Sequence, residues 1–122
     1  MTARKADPRR GDDRSRVWEH LFDTFTTTNG ATAEQTATLY PTNGNATRIL
    51  MSVSTSTGSE TATLTLDDPD SFEVFNSGAK AAGASYIMDV DIPLKGAYTL
   101  GMTPGGDPGA SGQTVVVKVM GE

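Results

Sequence analysis

The residues best suited to chemistry in this chain are one histidine and a few aspartates. His20 is the only histidine among 122 residues, so a Ser-His-Asp arrangement would depend on it alone. No nucleophile-elbow motif accompanies it, and the aromatic residues around it favour a partly buried structural side chain. We therefore expect no catalytic residue and no enzyme. The chain also has no cysteine, which excludes disulfides and a thiolate metal site.

Two groups of aspartates offer oxygen ligands or paired acids. The stretch DDPD at residues 67–70 carries oxygens of the kind that bind calcium, but it lacks EF-hand spacing. Asp and Pro are also the usual residues of a solvated turn. Asp89 and Asp91 share one face of a predicted strand, where a polar outer face is a commoner role than a glycosidase acid pair. We expect no cofactor and no metal, and cation binding by the loop Asp67–Asp70 stays open.

The charge of the chain is divided between a basic start and an acidic remainder. Residues 1–16 hold six basic and three acidic side chains, a net of +3. The whole chain has 10 basic and 15 acidic residues, so residues 17–122 hold 4 and 12, a net of −8. This division predicts a flexible arm over 1–16 that docks onto an acidic partner, and one domain over 17–122. The docking residues of the arm are Arg4, Lys5, Arg9, Arg10, Arg14 and Arg16.

Several partner classes are not expected from this composition. The arm has no aromatic residues for base stacking, so specific nucleic-acid binding is not indicated. The glycine-rich stretches GGDPG and NGN lack the lysine of a phosphate-binding loop and are interpreted as loops. No window has the length of a membrane span, and the charged N-terminus is unlike a secretory signal. We therefore expect no membrane partner.

Alternating apolar and polar residues predict about eight short strands, with turn signals every 8–12 residues. Residues 17–28 fit either a helix or a strand, and their aromatic residues and threonines favour a strand. Segment 46–57, with Ile49 and Met51 inward, and segment 60–68, with Leu64 inward, are interpreted as a hairpin-like unit. The pattern predicts an all-β sandwich or barrel.

The outward positions of these strands are rich in serine and threonine. An uncharged outer face tolerates the close approach of another subunit at little desolvation cost. Threonine is also simply a good residue for an exposed strand, because its β-branched side chain suits a pleated surface. The sequence leaves these two interpretations equal.

One arrangement of strands resembles a known family. The Trp-containing opening VWEHLFDTFTT, the turn TLYP, the strands TRILMSVS and TATLTL, the pair YIMDVDIPL and GAYTLGM, and the closing TVVVKVMGE are similar to small jelly-roll modules of tailed-virus structural proteins. The resemblance implies a single jelly-roll-like antiparallel β-sandwich of about eight strands with a flexible N-terminal arm. It also implies a non-enzymatic virion protein of the capsid decoration, turret or tail-associated type.

The resemblance further implies partners and a location. The chain would form a homo-oligomer, dock through its arm onto other virion proteins such as the major capsid protein, and reside in the capsid or tail after assembly in the host cytoplasm. One alternative is a carbohydrate or host-surface binding sandwich that uses Trp18, Tyr40, Tyr86 or Tyr98, although Tyr86 and Tyr98 are predicted to point inward. Another is a cellular β-domain from an adhesin or surface layer.

Overall fold

The computed structural model describes residues 18–39 and 44–122, and of residues 18–22 it describes the backbone alone. Those parts contain eight strands and turns, and no helix that could cross a membrane. The strands are β1 Trp18–Thr27, β2 Gln35–Leu39, β3 Gly44–Val53, β4 Ala62–Asp67, β5 Glu73–Lys80, β6 Ala84–Leu94, β7 Tyr98–Pro104 and β8 Gln113–Gly121. The preference for a strand over residues 17–28 is confirmed by β1. The basic arm, residues 1–16, lies outside the described residues.

The strand order is that of one long antiparallel hairpin rolled up on itself. Strands pair from the outside of the chain inward, as β1 with β8, β2 with β7, β3 with β6 and β4 with β5. Rolling then brings β3 beside β8 and β4 beside β7. The result is two four-stranded sheets, β1-β8-β3-β6 and β2-β7-β4-β5. This is a jelly roll, and the prediction of an all-β antiparallel sandwich is confirmed.

The core lies between the two sheets and is built from every second residue of each strand. Side chains on a strand alternate between its two faces, so a period of two places one set inward. On β3, β4 and β8 the predicted inward residues are all buried. The buried apolar residues of these three strands are Ala46, Ile49, Met51, Val53, Ala62, Leu64, Leu66, Val115, Val117 and Val119.

The predicted hairpin-like unit of β3 and β4 is wrong. β3 pairs with β6 and β8 in one sheet, whereas β4 pairs with β5 and β7 in the other. The intervening residues 54–61 therefore connect one sheet to the other at an end of the sandwich, outside the core. Alternation does not distinguish the two arrangements, because Met51 and Leu64 point into the same core from opposite sides.

The fifth strand is longer than its apolar residues suggest. The sequence predicts a short strand at SFEVFN followed by a glycine-rich segment, whereas β5 continues to Lys80. Gly78 lies within it at φ 71°, a conformation that glycine adopts without steric cost. Phe75 packs against the core, while Phe72 and Val74 are exposed.

Candidate functional site

Some of the residues considered for chemistry or docking lie outside the part of the chain that the structure describes. The structure places the backbone of His20 in β1 but not its side chain. The six docking residues of the arm lie in the part of the chain that is not described. In residues 18–39 and 44–122, no three His, Cys, Asp or Glu side chains come together as a metal site requires.

The DDPD stretch forms a turn that uses its own carboxylate. Asp68 Oδ1 accepts hydrogen bonds from the backbone nitrogens of Asp70 and Phe72, each at 2.9 Å. Ser71 in this turn has φ 70°. These bonds are those of an Asx-type turn, which orders the β4–β5 connection without any ligand.

Asp89 and Asp91 point outward from β6 and have separate partners. Asp89 Oδ1 pairs with Arg48 Nε at 3.1 Å across to β3, and Asp91 Oδ1 accepts from Asn45 Nδ2 at 3.2 Å. β6 is an edge strand of its sheet, where charged side chains discourage uncontrolled pairing. The two carboxylates are therefore polar outer-face residues, as the sequence favoured.

Asp107 is a carboxylate that sequence reasoning missed, and it joins two loops. Its Oδ1 accepts from Gly30 N at 2.8 Å and Gly109 N at 2.9 Å. The hydrogen bond from Gly109, followed by that from Gly30, lowers the pKa of Asp107 below its usual value. The β3–β4 loop joins the same end of the sandwich through Gly58 N and the Pro108 carbonyl, at 2.7 Å.

Of the two described tyrosines considered for sugar binding, one is buried and the other is half-buried. Tyr98 is buried and its hydroxyl donates to the Pro93 carbonyl at 3.0 Å. Tyr86 is half-buried against the core and donates to the Ala81 carbonyl at 2.8 Å. Lys80 Nζ lies 5.3 Å from the centroid of the Tyr86 ring. Tyr40 and the side chain of Trp18 lie outside the described part of the chain.

A polar groove of about 250 Å³ lies between the loops at the Asp107 end. Two of its lining side chains bond to the β3–β4 loop beside the groove. Ser111 Oγ lies 2.9 Å from Thr57 Oγ1, and the amide nitrogen of Gln113 donates to the Glu60 carbonyl at 2.8 Å. Both bonds tie the start of β8 and the loop before it to the β3–β4 loop, which is a structural role.

The outer face of the β2-β7-β4-β5 sheet carries six threonines, and we call it the threonine face. Strand register places Thr38 beside Thr99 and Thr63 beside Thr103. Glu34 lies over Gly101, which has no room for a Cβ beneath that carboxylate. The threonines of this face are Thr36, Thr38, Thr63, Thr65, Thr99 and Thr103.

The outer face of the β1-β8-β3-β6 sheet is different in character. Leu50 on β3 lies between Ile87 on β6 and Lys118 on β8, and Val116 lies one step along β8 beside Ser52. These residues line a shallow groove of about 300 Å³. We call the outward side chains of Leu50, Ile87 and Val116 the aliphatic face.

The sequence places Leu50 and Val116 on outward positions separately, but it does not bring them together. That contact depends on β8 lying next to β3, a neighbour relation between distant parts of the chain. The sequence does contain one sign of this surface, an isoleucine at an outward position of the strand that also carries Asp89 and Asp91. Apolar residues at exposed strand positions often mark protein contacts.

Comparison with solved structures gives a weak likeness. No family model matches the sequence, and no curated protein matches it. A chain from a structure of infectious bursal disease virus, Gx strain, is similar at 15% identity and a TM-score of 0.46. The match covers 98% of this chain but 36% of that one, so this chain spans about a third of its length. At these values the match supports neither a shared fold nor a shared function, and the jelly-roll order stands on the strand pairing itself.

Proposed function

We propose that this protein is a non-enzymatic structural component of a tailed-virus particle, of the capsid decoration, turret or tail-associated type. It assembles as a homo-oligomer and docks through its basic arm onto other virion proteins, such as the major capsid protein. The observation that carries the proposal is the jelly-roll strand order, in the segments whose sequence resembles virion modules.

The described surface supports a role in contact more than a role in chemistry. Asp68 is bound to turn nitrogens, Asp89 to Arg48 and Asp91 to Asn45, and Gln113 of the polar groove is bound to the β3–β4 loop. Both outer sheet faces, besides their charged residues, carry uncharged or aliphatic side chains on several strands. Such faces are permissive for packing against a neighbouring subunit.

The charge division of the chain supports docking through the arm. A net of +3 in residues 1–16 stands against −8 in the remainder. A basic segment of this kind is attracted to an acidic protein surface, and the attraction weakens as salt screens it.

The direct test is the composition of purified virus particles. In the virus whose genome encodes this chain, capsid and tail genes should flank the coding sequence. Quantitative mass spectrometry of gradient-purified particles should then find the chain at a fixed ratio to the major capsid protein. Its absence from particles, with expression confirmed in infected cells, would refute the virion role.

A further inference from the structure

We infer that the aliphatic face is the surface on which a second copy of this chain packs. This inference rests on the proposed homo-oligomer and names the face that forms it. Its starting point is the exposure of Ile87, which is 67% accessible to solvent on the edge strand β6. Burying an apolar side chain of this size is a main source of binding free energy between proteins.

The surroundings of Ile87 have the layout of an interface. Leu50 lies directly opposite it on β3, and Val116 extends the apolar surface onto β8. Polar pairs border this centre on two sides: Ser85 Oγ with Ser52 Oγ at 3.1 Å, and Arg48 with Asp89 at 3.1 Å. An apolar centre with a polar rim is the usual anatomy of a protein contact.

The charges around the groove favour a second copy as the occupant. Lys118 on β8 lies on one side of Leu50, while Asp89 and Asp91 on β6 lie on the other. In a two-fold pair that stacks β8 of one copy over β6 of its partner, each Lys118 approaches the acidic side of the other copy. The face is thus complementary to itself, as an isologous interface requires.

The balance of charge separates this face from the threonine face. Arg48 and Lys118 offset Asp89 and Asp91 here, although residues 17–122 as a whole carry a net of −8. The threonine face is bordered by Glu34, Asp67 and Glu73. Two copies that met through the threonine face would bring these acids together, whereas two copies that met through the aliphatic face would not.

The whole outer face of the β1-β8-β3-β6 sheet, which includes the aliphatic face, approaches the size of a stable contact. Four strands about 4.8 Å apart, each with about ten residues at about 3.3 Å, give a projected area of roughly 600 Å² per copy. The accessible area of a corrugated sheet face exceeds its projection. A stable interface typically buries about 800 Å² on each partner.

The test is the mass of the full chain in solution, measured by sedimentation equilibrium over a concentration series. The variant Ile87→Lys changes an exposed side chain, so it should keep its strand circular dichroism while its dissociation constant rises at least about tenfold, as expected when a charge is buried at a contact centre. Thr103→Lys adds the same charge to the threonine face and should leave association unchanged. Lys118→Glu should weaken association, and adding Asp91→Lys in the same chain should restore part of it.

The possible results distinguish the contact through the aliphatic face from the homo-oligomer on which that inference rests. If the wild-type chain is oligomeric and Ile87→Lys associates equally well, the aliphatic face is not the contact, and the homo-oligomer stands. A wild-type chain that is monomeric at every concentration would overturn both. If Ile87→Lys fails to fold, hydrogen exchange of the wild-type chain tests whether the aliphatic face is the contact. Residues 50–52 and 85–88 should gain protection as concentration rises, and unchanged exchange there would overturn the inference.

Discussion

Leu50 and Ile87 lie directly opposite each other on β3 and β6, with Ile87 mostly exposed and Leu50 half-buried beneath the same groove. A cross-strand aliphatic pair on an outer face gains little for the monomer while one member remains in water. On the opposite outer face, the equivalent strands present threonines. One outer face of the sandwich is therefore rich in threonine, whereas the other has aliphatic side chains on three strands.

The central core position Leu64 should govern the stability of the sandwich. Leu64 is fully buried on β4, so Leu64→Ala removes packing and leaves a cavity between the sheets. We expect the free energy of unfolding to fall by about 2–5 kcal/mol, as measured by urea denaturation. Its neighbour Thr63 points outward, and Thr63→Ala should change stability by less than about 0.5 kcal/mol. Equal effects of the two substitutions would contradict the assigned faces.

The link made by Asp107 should depend on pH. Because backbone hydrogen bonds lower the pKa of its carboxyl in the folded chain, the ionised form stabilises folding above the unfolded pKa of about 3.9. That stabilisation is lost as pH falls from there through the folded pKa. The melting temperature of Asp107→Asn should therefore be lower than that of the wild type at pH 7, and this difference should be smaller at pH 3. A difference that stays constant in thermal melts across this range would count against the link.

The loop around Gly58 should not accept a side chain. A Cβ at Gly58 would lie 2.6 Å from the backbone oxygen of Asp107, and backbone yields less easily than a flexible side chain. We expect Gly58→Ala to cost about 1–3 kcal/mol of stability, measured by urea denaturation. Ser59 in the same loop has φ 52°. Ser59→Gly should be neutral or slightly stabilising, because glycine relieves that conformation. If Gly58→Ala is as stable as the wild type, the β3–β4 and β7–β8 loops separate readily.

The arm should act through its charge. Replacing all six basic residues of 1–16 by glutamine in the full chain changes the net charge of the arm from +3 to −3. We expect this variant to fold and to lose binding to particles in co-sedimentation, whereas replacing Asp7, Asp12 and Asp13 by asparagine should preserve or strengthen binding. Retained binding by the glutamine variant would remove the arm from the docking model.

The sequence predicts which side chains of a strand point inward better than it predicts which strands lie next to each other. Inward positions such as Ile49, Leu64 and Val117 follow from a period of two, because each strand has one face on a common core. Strand order does not follow, since β3 and β4 look like a hairpin locally while their hydrogen bonds go to distant strands. The aliphatic face was missed for the same reason. Leu50, Ile87 and Val116 become neighbours only when three separate strands are ordered.

The assembly of the wild-type chain tests the account most directly. Native mass spectrometry of the full-length protein, over a range of concentrations, should show a discrete oligomer at a multiple of 12.8 kDa. The proposed homo-oligomer, with contacts through its sheet faces, requires such a discrete oligomer. A single species of 12.8 kDa at every concentration would contradict it.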